Sequence, residues 1–117
     1  MKRNHRDLRA WQDAMVLVEH LYQVTATFPQ SELYGLTNQI RRAAVSVPSN
    51  IAEGAARSGA KELRQFLSIA QASLSELDTL VDIAARVGYL ANPTSTVERI
   101  DRLSGLVSKL RSAIRTA

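Results

Sequence analysis

The chain has 117 residues, 45% of them hydrophobic and only 5% aromatic, with no cysteine, a net charge of +4 and a pI near 10.0. That describes one domain of ordinary size with a mostly aliphatic core. Disulfides, thiolate metal sites and a cysteine nucleophile are excluded, and the positive balance favours polyanions over cationic partners.

The N-terminal stretch MKRNHRDLRAW is basic but leads into no continuous apolar segment, so it does not read as a secretory signal. No run approaches the ~18 apolar residues that a membrane span needs. The expectation is a cytoplasmic protein with no membrane role.

The first predicted helix covers about residues 7–28. Leu8, Trp11, Met15, Val18 and Tyr22 follow the alternating three- and four-residue spacing of a heptad seam, and Pro29 ends it. On this reading Trp11 is a packing residue, and His5 and His20 face solvent.

The second helix covers about 34–57. Leu36, Ile40, Ala43, Val47 and Ile51 share one face, with Pro48 inside the pattern. A proline there removes a backbone hydrogen bond, clashes with the preceding turn and costs roughly 3 kcal/mol. The apolar phase resumes at Ile51, which predicts a kink rather than a break.

Ser58 and Gly59 make a short turn, with Ser58 the expected N-cap of a third helix over about 60–87. Leu63, Phe66, Leu67, Ala70, Leu74, Leu77, Val81 and Ala84 fill an apolar stripe of ordinary width. Ile69, Leu80, Ile83 and Val87 widen it to about 200° at ~100° per residue. On a single chain that surplus is an exposed apolar patch, which marks an interface. Gly88 is the expected helix stop.

After Asn92 and Pro93, the run Ser95-Thr96-Val97-Glu98 reads as a capping box opening a fourth helix over about 95–116. Ile100, Leu103, Val107, Leu110 and Ile114 form its seam. Four helices joined by short loops predict an all-α fold, an antiparallel up-down-up-down bundle of residues 1–117 with a proline-kinked second helix.

The run YGLTNQIRRAAVSVPSNIAEGAAR at residues 34–57, followed by FLSIAQASLSELDT at 66–79, resembles the bacterial four-helix bundle proteins. That family includes proteins encoded in intervening sequences of large-subunit (23S) ribosomal RNA genes, and accessory variability proteins of diversity-generating retroelements are related to it. The resemblance rests on I-R-R-A-A-x-S-x-P-S-N-I-A-E-G and spans nearly the whole chain. It implies a homopentameric ring. It also implies association with nucleic acid and, in the retroelement relatives, with a reverse transcriptase.

Two sets of polar residues are candidates for function. On the second helix Gln39, Arg42, Ser46, Asn50 and Glu53 line the edge of the apolar face. Glu62 and Glu76 project into the widened arc of the third, where a carboxylate needs a partner. Arg42, or Arg41, is expected to pair with Glu76 in a structural polar network. A ligand site and an intersubunit contact are the other readings of the same residues.

The second set is basic. Lys2, Arg3, Arg6 and Arg9 cluster at the N-terminus, and Arg57, Lys61 and Arg64 around the second turn. Arg99, Arg102 and Lys109 share a stripe on the fourth helix, diluted by Glu98 and Asp101, and Arg111 and Arg115 lie near its end. Five copies at +4 each reach +20 on one particle, enough to draw phosphate backbone by counterion release.

No catalytic, metal or cofactor site is expected. Neither histidine has a carboxylate three residues before it, so the Glu-x-x-His signature of di-iron bundles is missing. The Arg-x4-6-His motif of HEPN-type ribonucleases is missing too. Ser46, Ser49 and Ser73 have no histidine near in sequence, and no glycine-rich phosphate loop is present. The expected function is a non-enzymatic oligomeric scaffold that binds RNA or DNA backbone through its basic clusters, first Lys2, Arg3, Arg6 and Arg9, then Arg57, Lys61 and Arg64. The alternative is a protein-interaction scaffold with no nucleic-acid role.

Overall fold

The computed structural model describes residues 4–114. Four α-helices carry the fold: α1 Arg9–Thr25, α2 Leu36–Ala55, α3 Ala60–Arg86 and α4 Thr94–Ala113. A single 3-10 turn, His5–Asp7, precedes α1, and another, Gln30–Glu32, lies between α1 and α2. No strand occurs among the described residues. The bundle measures 48 × 22 × 19 Å. Each helix packs on two others, α1 on α2 and α4, α3 on α2 and α4, so the helices close a ring around one core.

Three helices bury the seams their sequences predict. On α2, Leu36, Ile40, Ala43, Val47 and Ile51 are buried, and Pro48 sits inside an unbroken helix. On α4, Ile100, Leu103 and Val107 are buried, and Leu110 and Ile114 pack against the core from its edge. On α3 the expected stripe is buried except Phe66, which is half-exposed.

The first helix corrects the reading. Its core face is Ala10, Ala14, Leu17, Leu21 and Thr25, while Met15 and Tyr22 are exposed. The helical spacing holds but the buried face is rotated from the seam of large side chains, because small residues let α1 approach its neighbours. Leu8, Trp11 and Val18 pack only at the rim of the core. Helix α1 also ends earlier than expected, at Thr25, yet Phe28 beyond it is buried and stacks on Tyr89 at 5.7 Å between ring centroids.

The caps also differ. Gly59, not Ser58, is the N-cap of α3, and it makes no side-chain cap bond. The box at Ser95–Glu98 does not form, because α4 starts before it with Pro93 as N-cap. The Asn92 side chain accepts instead from the Thr94 amide at 3.1 Å, and Thr96 is turned inward and buried. At α2, Glu32 reaches forward and its Oε1 accepts from the Leu36 amide at 3.1 Å.

Gly88 behaves as its sequence context predicts. Its φ of 88° is left-handed, a conformation that glycine adopts without penalty. Tyr89 N–H then reaches back to the Ala84 carbonyl at 2.9 Å and Gly88 N–H to Ala85 at 3.2 Å, the paired bonds of a Schellman stop.

Candidate functional site

The basic residues do not behave as one set. Lys2, Arg3 and Arg115 lie outside the described residues. Arg6 is exposed, and its guanidinium lies 5.3 Å from the ring centre of Trp11, which is itself half-buried and meets His5 edge-on at 5.1 Å. Arg9 is exposed and lies 3.8 Å from Asp13. Lys61 is exposed. Arg57 is tied to Glu53 at 3.0 Å and covers the Phe66 ring at 5.0 Å.

Arg64 has a structural task. It donates to the Arg111 carbonyl at 2.6 Å and the Ile114 carbonyl at 3.3 Å, satisfying the C-terminal end of α4. A cation there also complements the negative end of the helix dipole. Of the second-turn cluster, Lys61 has no hydrogen-bond or ion-pair partner among the described residues.

A different basic group appears between α1 and α4. Arg9 and Asp13 of α1 face Arg99 and Arg102 of α4 across a cleft of about 110 Å³ floored by Leu17 and Leu103. Helix α4 presents these two arginines because they lie three residues apart, one turn along its outer stripe. Nothing in the sequence alone pairs them with Arg9, since α1 and α4 are distant along the chain. The α4 stripe is visible in the sequence; its partner on α1 is not.

The expected polar network separates into pieces. Asn50 Nδ2 donates to the Ser46 carbonyl at 2.8 Å and to Ser46 Oγ at 2.9 Å, and Ser46 Oγ meets Ser73 Oγ at 2.9 Å. This short chain links α2 to α3 beside Pro48. Ser73, 8% exposed, was missed as its partner. It lies on the flank of the α3 stripe, where a serine facing Ser46 could have been read. Arg41 turns the other way, donating from Nε to Thr25 Oγ1 at 2.9 Å and lying 4.5 Å above the Tyr22 ring. Glu53 pairs with Arg57 on the surface.

The Arg42–Glu76 pair is absent. Both residues and Gln39 are exposed and line one groove with Ser46 and Ser73, but no ion pair joins them. The three ion pairs among the described residues are all local, at four-residue spacing, two within a helix and the third from Glu53 of α2 to Arg57 just past its end. Glu76 is therefore not a buried carboxylate in need of a partner, since water solvates it.

His20 is likewise not a plain solvent-facing residue. It is half-buried, and its Nε2 meets Thr96 Oγ1 at 2.8 Å, bridging α1 and α4. Burial, and secondarily the positive charge of Arg99, hold its imidazole below the ordinary value of 6.5.

The apolar surplus expected on α3 is real at three of its four positions. Ile69, Ile83 and Val87 are 48%, 42% and 55% exposed, and Leu80 is buried. Val45 on α2 is exposed as well, and the fully solvated Tyr34 stands beside it with Leu33 and Tyr22 around a groove of about 560 Å³. Among the described residues, α4 carries no large exposed hydrophobic side chain.

No group of three or more His, Asp or Glu side chains is placed to hold a metal among the described residues. None of the described helices is long and apolar enough to cross a membrane. Among curated proteins no match is found. The family model described as "23S rRNA-intervening sequence protein" matches residues 6–112.

Proposed function

The chain belongs to the 23S rRNA-intervening sequence protein family, and from that premise we propose a small non-enzymatic cytoplasmic scaffold that assembles into a ring and binds RNA or DNA backbone. In this reading the helices alternate up and down, α2 bends at Pro48, and five chains close the ring. The observation that carries it is the exposed aliphatic surface of Val45, Ile69 and Ile83 on the α2–α3 side, set apart from the arginines that meet across α1 and α4, where Met15 and Val16 of α1 are exposed as well.

An apolar strip of that kind needs cover in water, and a second copy of the chain covers it without covering the basic side. Arg42 and Glu76, which share a groove on the α2–α3 side and do not touch, are placed to pair with their opposites on a neighbouring copy. A ring then repeats the arginines outward at fixed intervals. Contacts to phosphate fix position on a nucleic acid and carry no sequence information, so binding without base preference is expected.

The alternative is a scaffold for a protein partner, such as a reverse transcriptase. The groove beside Tyr34 supports it, being lined by Tyr22, Leu33, Tyr34 and Val45 with Arg41 and Arg42 at its edge. Exposed tyrosines with nearby arginine are what protein interfaces favour.

One experiment separates the two. After sizing by light scattering, the protein is titrated into fluorescent single- and double-stranded RNA and DNA at about 50 and about 200 mM salt, and anisotropy is read. Binding that weakens steeply with salt supports the polyanion reading. No binding at low salt makes the charge incidental and leaves the protein-partner reading.

A further inference from the structure

We propose that the cleft between α1 and α4 is a phosphate site, in which Arg9, Arg99 and Arg102 hold one phosphate group. The inference deepens the polyanion reading by naming the residues that do the binding, and it joins Arg9 of the N-terminal cluster to two arginines of α4 outside both clusters first expected to bind.

Three arginines and one carboxylate, Asp13, meet at this cleft. Asp13 engages Arg9 loosely, at 3.8 Å, with most of the Arg9 side chain in solvent. No carboxylate among the described residues pairs with Arg99 or Arg102, although Glu98 and Asp101 share their helix. The cleft thus gathers an excess of positive charge, solvated by water at the exposed Arg9 and Arg102, which a phosphate, with nearly two negative charges when free and one in a diester, complements.

The Nε of Arg99 is shielded from solvent and has no hydrogen-bond partner among the described residues, so an anion in the cleft meets the terminal nitrogens of the guanidinium. A phosphate oxygen is a strong acceptor, and the planar guanidinium fork matches it two bonds at a time. The floor of the cleft is apolar, made by Leu17 and Leu103, each 2% exposed. Low-dielectric walls concentrate the field of the arginines toward the opening. At about 110 Å³ the space is several times what one water needs, which suits a single phosphate group and leaves no enclosed space for a base.

The phosphate can come from a polynucleotide backbone or from free phosphate, and the test separates them. His20 is the reporter, since Arg99 acts on its imidazole. In the first arm, His20 is titrated by NMR with and without inorganic phosphate, at matched ionic strength set with sodium chloride. Occupancy of the cleft cancels part of the Arg99 field and raises the His20 pKa, while His5 serves as the control. Arg99→Gln removes this response, and Arg99→Lys keeps part of it. In the second arm, RNA affinity is measured for Arg99→Gln/Arg102→Gln against the parent, with folding checked by circular dichroism.

The expected result is a loss of roughly tenfold or more at low salt, with the slope of log affinity against log salt falling by about one for each arginine removed. RNA binding unchanged in the double variant, with no phosphate response at His20, overturns the site and leaves the polyanion reading standing on other residues. A phosphate response without RNA binding upholds the site for free phosphate and removes the polynucleotide reading. Neither RNA binding nor a phosphate response overturns both.

Discussion

The two sides of the bundle are built on opposite plans. Where α2 meets α3 the contact is short and made by small groups. Gly54 lies so close that a Cβ there stands 2.9 Å from Phe66 Cβ and 3.0 Å from Leu63 Cδ1, and the polar link is a chain of two serines and an asparagine. Where α4 meets its neighbours, long side chains reach across. His20 bonds to Thr96, Arg64 to the last carbonyls of α4, and Arg111 to Gln71. The first plan gives a rigid seam with aliphatic groups on its outer surface. The second gives an edge rich in charge. What the difference teaches is how the proposed function divides the molecule: assembly takes the first surface and polyanion binding the second, so that one does not occlude the other.

That comparison can be broken. If the α2–α3 side is the assembly surface, Ile69→Asp with Ile83→Asp reduces the particle to single chains by light scattering, with the circular dichroism of the helices retained. The same change to already exposed α4 positions, such as Ser108→Asp, leaves the mass unchanged. Equal masses for the two variants would sink the idea of a dedicated side.

The tightness of the α2–α3 seam is the next target. Gly54→Val adds two methyl groups and a Cβ where Phe66 cannot retreat, because its own Cβ is the obstacle. Overpacking of this kind costs typically 1–3 kcal/mol, so a loss of about 2 kcal/mol in urea unfolding is expected. Gly105 on α4 has nothing within 4 Å of the same point. Gly105→Ala is expected to stabilise by up to about 1 kcal/mol through helix propensity.

A smaller effect sharpens the polar plan of the other side. The His20 imidazole titrates below 6.5 when folded and near 6.5 when unfolded. Between those values the unfolded chain binds more protons, so stability is full above about 6.5 and falls as pH drops through the lowered value. Urea midpoints at about pH 7.5 and about pH 5 should show this slope, and His20→Gln should remove its share of it. The smallest effect is at Glu76. Exposed and unpaired within the chain, it should change single-chain stability by less than about 0.5 kcal/mol when replaced by alanine. A marked drop would instead mean that it is buried against a neighbouring copy.

The sequence made the four helices legible because each carries a period that only a helix satisfies. The stop at Gly88, the α2 face through Pro48 and the α4 seam needed no tertiary information. The phase of α1 did. Ala10 and Ala14 carry too little hydrophobic signal to outvote Trp11, Met15 and Tyr22, and their burial becomes evident once the neighbouring helices are present. Capping at α4 failed because the helix starts at Thr94, before the box, with Pro93 as its N-cap. The candidate site was less legible than the fold. Arg99 and Arg102 stood out as a stripe, but their convergence with Arg9 is made by the packing of the first helix on the last. The expected Arg42–Glu76 pair rested on a burial that the packing does not impose.

Glu32 joins two connections that are far apart along the chain. One oxygen accepts the Leu36 amide at the start of α2 and the other accepts the Tyr89 hydroxyl at 2.9 Å, just past the end of α3. That bond, with lesser effects of burial and of the Glu32 charge, holds the Tyr89 phenol above its ordinary 10.0. Because each bond uses its own oxygen, one carboxylate ties the start of α2 to the connection between α3 and α4, and this end of the bundle works as a clasp. The Leu36 and Tyr89 amides are expected to show similar protection in hydrogen exchange.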